Sequence, residues 1–301
     1  MTMTDFITRI APTPSGFIHA GNALNFILTY IIAKHLNATL RLRIDDIDKL
    51  RSKKVFIDDI FETLKWLGLE YDYGAKDSDD FLKNYSYNNE VLFEELNNLH
   101  KKFPMLFYAC KCSRKDIKGI YHGNCKELKL KLQKDKTSLR LHIKQNSYVW
   151  LGDFCIELFE NIGDIILWQK DGFCSYQLAS LLDDEKNGVN LLVRGEDLLN
   201  SSAIQLFMAN LFGFKNFSKA IFIHHPLMLD QNGKKLSKSL NSHALYQWRK
   251  NNKKPYELFQ KTAEIIGVKE SWQINTKEEL LACKDELEAF FRLNSQKLDR
   301  Q

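Results

Sequence analysis

Short apolar runs alternate with longer amphipathic stretches along most of this chain, and that alternation limits the folds open to it. Residues 6–11 form an apolar run ending in a proline-rich turn, and 21–35 have the length and apolar density of a helix. Residues 39–44 alternate Leu and Ile with Thr and Arg, as a half-buried strand does. Apolar residues at 55, 60, 64 and 67 follow helical spacing, and a further helical stretch covers 88–102. The pattern resumes with expected strands at 164–168, 190–194 and 221–224 and expected helices at 176–184 and 201–212. Strands separated by helices build a parallel sheet with helical cover. In open sheets of that kind the ligand sits beyond the carboxyl ends of the strands. The expected fold class is α/β, a doubly wound parallel sheet.

Two stretches depart from the pattern. Residues 110–150 are rich in Lys and Cys and read as an insertion, and from 255 onward the chain reads as helices only, at 255–267 and 277–293. The expected organisation is therefore 1–104 and 151–245 as two halves of one α/β domain, 105–150 as the insertion, and 246–301 as a short helical C-terminal region. No run of apolar residues is long enough to span a bilayer, and the N-terminus lacks a basic stretch followed by an apolar core. A cytoplasmic protein is the expectation. The net charge of +5, from 43 Lys and Arg against 38 Asp and Glu, permits a polyanionic partner without demanding one.

Two segments carry the chemistry. In the first, Arg9 to Asn22, two prolines and two glycines fix a turn between a strand and a helix. A helix N-terminus offers unpaired N–H groups and partial positive charge, which suit phosphate. His19 is placed to add a hydrogen bond to a phosphate oxygen, and Gly21 to let a flat ring approach the backbone. In the second, Lys235, Leu236, Ser237, Lys238 and Ser239 follow a turn at 230–233. Mobile ammonium groups there can neutralise a triphosphate whose charge redistributes during reaction. Taken alone, each also reads as ordinary structure: a turn with a capping histidine, and a solvated basic loop.

Together the two segments resemble the signature pair of class I aminoacyl-tRNA synthetases, here His19-Ala-Gly-Asn22 and Lys235-Leu-Ser-Lys-Ser239. Arg9 to Gly16, Arg43-Ile-Asp-Asp-Ile-Asp48, Tyr176 to Ala179, Asp183-Asp184 and Val193 to Leu198 resemble further glutamyl-tRNA synthetase signatures. The resemblance covers about residues 6–245 and implies a Rossmann-type catalytic domain. It implies that Arg9, Ala11, Thr13, Tyr176 and Arg194 hold glutamate. A guanidinium such as Arg194 can grip a carboxylate with two parallel hydrogen bonds. Two positions depart from the family pattern. Asp45 stands where the family has a Glu that contacts the substrate amino group, and Asn22 replaces the second His.

Six cysteines do not make a disulfide scaffold in a chain of this length, and three of them, Cys110, Cys112 and Cys125, fall within sixteen residues. Thiolates at that density suit tetrahedral zinc. Reduced, unliganded thiols are the plain alternative. His122 is the ordinary fourth ligand on chemical grounds, whereas Tyr121 must lose a proton whose usual pKa is about 10. The spacing nevertheless resembles the zinc site of glutamyl-Q tRNA(Asp) synthetases, in which the Tyr ligates, and that resemblance points to Tyr121. Cys155, Cys174 and Cys283 are isolated and expected in the core.

The resemblance implies activation of glutamate by ATP with Mg²⁺, followed by transfer to queuosine in the anticodon of tRNA(Asp) by a monomer. His19 and Lys238 are the expected catalytic residues, with Gly21, Asn22, Lys235, Leu236, Ser237 and Ser239 completing the ATP site. Only a short stretch follows the second signature, whereas a glutamyl-tRNA synthetase that reads the anticodon carries a large helical region there. Five Lys or Arg between 249 and 261, interleaved with Trp248 and Tyr256, read as a solvated helix face with RNA contact as the alternative.

Overall fold

The computed structural model describes residues 5–152, 154–227 and 245–295, with Arg114 described through its backbone alone. The chain begins with β1 (Ile7–Ile10), α1 (Ala20–His35), β2 (Thr39–Leu42), α2 (Lys54–Leu67) and the single turn α3 (Ser78–Asp80). Next come α4 (Asn89–Lys102), β3 (Phe107–Cys110), β4 (Ser138–Leu141), β5 (Tyr148–Leu151) and β6 (Phe154–Glu157). They are followed by α5 (Leu158–Asn161), β7 (Ile165–Trp168), α6 (Tyr176–Lys186), β8 (Leu191–Gly195), α7 (Leu199–Phe212) and β9 (Ile221–His225). The last described helices are α8 (Leu245–Lys250), α9 (Tyr256–Ile266), α10 (Lys277–Ala282) and α11 (Lys284–Asn294). None of the described helices is long and apolar enough to cross a membrane.

Two compact units divide these elements. The first comprises the described residues of Met1–Ser86, Val189–Leu198 and Ala220–Gln296. It holds two parallel strand pairs, β1 with β2 and β8 with β9. Asn190 links the pairs: its N–H donates to Ile7 O at 3.1 Å and its Oδ1 accepts the Ile7 N–H at 2.9 Å. The order is thus β2-β1-β8-β9, with the change of direction falling between β1 and β8. In an open α/β sheet that is where a ligand crevice opens.

The helix α1 is the centre of this unit. Every residue from Phe26 to Ala33 is buried, more than two turns without an exposed face. A helix apolar all round needs cover all round. β1 and β8 lie against it, and α9, α10 and α11 complete the jacket. The C-terminal helical stretch is therefore part of the same core rather than a separate appendage, because α1 has no polar stripe to leave in water. Leu258, Phe259, Ala263, Ile266, Leu280, Leu287 and Phe290 join one apolar cluster with Leu24, Ile27 and Ile31.

The second unit comprises Leu199–Lys219 and the described residues of Tyr87–Gly188. It contains a three-stranded antiparallel sheet in the order β3-β4-β7 and the antiparallel hairpin β5–β6. Here the structure corrects the sequence reading. The 164–168 run is a strand, but it pairs antiparallel with β4 instead of joining the parallel sheet. The unit is accordingly larger than the expected 105–150 insertion. Alternation identifies strands without naming their partners, and β4 lay inside a Lys-rich stretch that shows no strand signal. Cys155 is exposed on β6 and Cys283 is partly exposed, so of the three isolated cysteines Cys174 alone is buried as expected.

Candidate active site

β1 ends at Ile10, and the loop that follows is stitched to the segment after β2. Ile10 O accepts the Arg43 N–H at 2.9 Å, and Pro12 O accepts the Asp45 N–H at 2.8 Å. His19 closes the loop as the N-cap of α1, with extended backbone (φ −109°, ψ 168°). Its Nδ1 accepts the Asn22 N–H at 3.4 Å, and Asn22 Oδ1 accepts the His19 N–H at 3.5 Å. This reciprocal pair is a capping box, which satisfies two otherwise orphaned donors. It also gives Asn22 a role that a sequence comparison of signatures does not show. Burial lowers the His19 pKa and keeps the ring neutral. A neutral imidazole that accepts at Nδ1 carries its proton on Nε2. The cap therefore uses Nδ1 and leaves the ring proton on Nε2. A Cβ at Gly21 would stand 3.4 Å from His19 Nδ1 and Cε1, so the glycine keeps that face of the ring clear.

The residue before His19 is held from two sides. Ile18 N–H donates to Asp59 Oδ2 at 2.7 Å, and Ile18 O accepts the Leu245 N–H at 2.9 Å. Phe17 meets Phe56 edge-on at 5.1 Å and stacks on Tyr246 at 5.0 Å. At the other end of the undescribed stretch, His225 at the close of β9 lies 3.1 Å from Asn25 Nδ2, one turn into α1. His225 Nδ1 faces Pro226 O at 2.9 Å and burial lowers its pKa, so its Nε2 is the acceptor for Asn25. The two flanks of 228–244 thus reach the loop before α1 and the second turn of α1 respectively. Lys235, Leu236, Ser237, Lys238 and Ser239 lie outside the described residues.

Two buried arginines occupy the central strands. Arg9, 4% exposed, is on β1 in register with Arg41, and Arg194, 2% exposed, is on β8 in register with His224. Ala11 is half-buried and Thr13 exposed in the loop beyond β1. Asp45 is buried with Arg43, whose Nε and Nη2 donate to its two oxygens at 2.7 and 3.2 Å. The shorter acid is thus drawn onto the guanidinium two residues before it. The first unit gathers Arg9, Ala11, Thr13, His19, Gly21, Asn22, Asp45 and Arg194; Tyr176 opens α6 in the second unit.

The second unit also assembles the thiols. Cys110, at the end of β3, Cys112 and Cys125 bring their sulfurs within 4.8 Å of one another. Tyr121 Oη lies 3.2 Å from Cys110 Sγ and 3.8 Å from Cys112 Sγ, and accepts the Cys125 N–H at 2.9 Å. His122 is not in this group; its ring packs on Phe159 at 4.2 Å. Geometry therefore favours Tyr121 over His122. Burial opposes ionisation of Cys125, yet hydrogen bonds from Tyr121 and the Lys111 backbone bring its thiol down to about 7. Burial and then the neighbouring Cys125 push Cys112 up to about 11. Arg140 stands 4.1 Å from the Tyr121 ring centroid and donates to Asp164 O at 2.6 Å. Three sulfurs and a phenol oxygen around one point are a donor set that fits tetrahedral zinc.

Sequence reasoning missed Asp59, Asn25, His225 and the Phe17–Tyr246 stack. Asp59 alone left a signal, an acid one residue before Ile60 on the apolar face of α2.

The family described as tRNA synthetases class I (E and Q), catalytic domain, matches residues 5–299. Among similar proteins, a glutamyl-Q tRNA(Asp) synthetase of Pseudomonas paraeruginosa is 32% identical over 246 residues, 79% of each chain. Another, from Pseudomonas putida GB-1, is 33% identical over 256 residues, 80% of each. Among solved structures, a glutamate-tRNA synthetase from Elizabethkingia anophelis superposes with a TM-score of 0.71 at 17% identity. That match covers 96% of this chain and 70% of the other. A glutamate tRNA ligase from Elizabethkingia meningosepticum, in complex with its amino acid, gives 0.70 at 16% identity, covering 96% and 69%. The two structures share the fold. The matched family and the close relatives together make this chain a ligase of the class I tRNA synthetases of the glutamyl and glutaminyl type, in the branch of the glutamyl-Q tRNA(Asp) synthetases.

Proposed function

We propose that this enzyme activates glutamate with ATP to glutamyl-adenylate and transfers the glutamyl group to queuosine in the anticodon of tRNA(Asp). One observation carries the reading: the ends of the segment bearing Lys235–Ser239 are both tied to the loop and helix that bear His19. The names of the relatives support the choice of queuosine.

The α-carboxylate of glutamate attacks the α-phosphorus of ATP, pyrophosphate leaves, and a hydroxyl of the queuosine ring then attacks the mixed anhydride and releases AMP. No protein nucleophile is needed; alignment and charge neutralisation suffice. His19 donates its Nε2–H to a phosphate oxygen, with Gly21, Asn22, Lys235, Leu236, Ser237, Lys238 and Ser239 framing the nucleotide. Lys238 neutralises charge as it shifts onto the leaving group. Mg²⁺ bound with ATP would supply further neutralisation of the phosphates. Arg9, Ala11, Thr13, Asp45, Tyr176 and Arg194 hold glutamate. Two buried guanidiniums suit a dicarboxylate, since burial strengthens each charge-assisted hydrogen bond. Cys110, Cys112, Tyr121 and Cys125 would hold a structural Zn²⁺, which would tie the loops that bear them together.

Incubation with radiolabelled glutamate, ATP and purified tRNAs tests this. Glutamate is expected on queuosine-containing tRNA(Asp), and not on tRNA(Asp) lacking queuosine. Label on the 3′ end of tRNA(Glu) instead would assign the chain to ordinary aminoacylation, and absence of glutamate-dependent ATP–pyrophosphate exchange would make it a non-catalytic paralogue.

A further inference from the structure

Asp59 is 2% exposed on α2, and its two oxygens serve different masters. Oδ2 accepts the N–H of Ile18, the residue next to His19, at 2.7 Å. Oδ1 accepts from Arg249 Nη2 on α8. Arg249 is itself fixed, with Nη1 donating to Thr63 Oγ1 at 2.6 Å and Nη2 lying 3.4 Å from Glu62. Its side chain is only 13% exposed, so the basic run after residue 248 is not uniformly a solvated face. From the opposite side Leu245, at the start of the same α8, donates to Ile18 O, and the neighbouring Tyr246 covers the Phe17 ring.

We propose that Asp59, locked by Arg249, is a positioning residue that sets where His19 presents its Nε2–H. This rests on the reading of His19 as a phosphate donor. A carboxylate is required because both oxygens must accept. An amide offers one acceptor, so Asn at this position turns its NH₂ against either the Ile18 N–H or the Arg249 guanidinium. Either conflict releases the dipeptide before His19 from α2 or α8. Arg9 and Arg194 sit on strands outside this clamp, so glutamate affinity does not depend on it. A displacement of about 1 Å of a group that aligns reactants can cost on the order of a hundredfold in rate.

The test compares Asp59→Asn, Arg249→Met, Arg249→Lys and His19→Asn in the full chain, by steady-state glutamate-dependent ATP–pyrophosphate exchange with urea unfolding in parallel. Asp59→Asn and Arg249→Met are expected to lower kcat about tenfold or more while the KM for glutamate stays within about twofold. Arg249→Lys, which keeps the charge, is expected to recover part of the rate. A folded Asp59→Asn with the parent kcat overturns the proposal, as does a kcat loss matched by an equal rise in glutamate KM, which marks general loosening. Should Asp59→Asn fail to fold, the two Arg249 variants decide by the same criteria. His19→Asn at the parent rate overturns the underlying reading of the site. A slow His19→Asn beside a parent-like Asp59→Asn overturns the positioning role alone.

Discussion

Replacing His19 with Ala removes two things, one at each ring nitrogen: a cap that the structure shows and a donor that the proposed function needs. At Nδ1 it removes the N-cap acceptor for Asn22. Losing such a cap costs ~0.5–2 kcal/mol. The 3.4 Å separation is long, so the lower half of that range applies. At Nε2 it removes the proposed phosphate donor. Deleting one preorganised donor to developing oxyanion charge costs ~2.7–4 kcal/mol, a factor of ~10²–10³ in kcat. His19→Asn separates the two, because an amide oxygen still caps while the distal N–H is gone. Stability near the parent and activity near His19→Ala are therefore expected for His19→Asn.

The pH dependence sharpens the test. Burial holds the folded pKa of His19 below the ordinary imidazole value of about 6.5. Above that value the ring is neutral in both states and contributes no linkage. As pH falls below it, the unfolded chain binds a proton that the folded chain resists, so folded stability declines until the folded pKa is passed. Replacing His19 removes this acid-side penalty. Urea midpoints at pH 7.5 should show the parent more stable than His19→Ala, and at pH 5.5 the gap should narrow. A gap that widens in acid would mean that His19 gains a proton on folding, and the neutral-donor argument would fail. Activity restored by His19→Asn would reduce the histidine to a cap.

Cys110→Ser should lose most bound zinc and Tyr121→Phe should weaken its retention against chelator, whereas His122→Ala should leave the metal content unchanged; elemental analysis before and after dialysis reads all three. Gly163 has φ +69°, and a Cβ there would stand 2.5 Å from Tyr121 O, so Gly163→Ala should lower stability by more than ~1 kcal/mol and reduce zinc retention with it. Lys238→Ala should slow pyrophosphate exchange by an amount equivalent to ~2–4 kcal/mol; exchange at the parent rate would remove the 235–239 segment from the site.

The legible parts of this molecule are those whose signal is local. Expected segments at 6–11, 21–35 and 39–44 correspond to β1, α1 and β2, since each carries its own periodicity and its own breakers. The first signature reads well because its residues are contiguous. β3 to β6 were not legible. They lie within or beside the Lys- and Cys-rich stretch, and β4 buries Arg140 where pattern reading expects an exposed basic residue. The Arg140 guanidinium is tolerable there because the Asp164 carbonyl and the Tyr121 ring receive it, and those partners lie 24 and 19 positions away in the chain. Asp59 shows in the sequence only as an acid on the apolar face of α2, because its ion-pair partner is 190 residues distant. The sequence points to Tyr121 rather than His122 by resemblance alone, and the packing of the imidazole on Phe159 is a geometric reason that no spacing shows.

The C-terminal helices change meaning once α1 is seen to be buried on every side. Their apolar residues cover the helix that His19 caps, and α8 at their head grips Ile18 through Leu245 and, through Arg249, the acid that holds Ile18. Lys238 is seven residues before Leu245, so chain connectivity alone limits their separation to ~25 Å. A charged group tethered within such a distance acts at high effective concentration, and closing the tether's other end at His225 raises it further. If Lys238 serves as proposed, its ammonium need bind nucleotide only weakly by itself, because the covalent chain has already removed most of the translational freedom that a separate cation would lose. On the proposed reading a short basic segment suffices without a protein nucleophile, provided that both anchors hold.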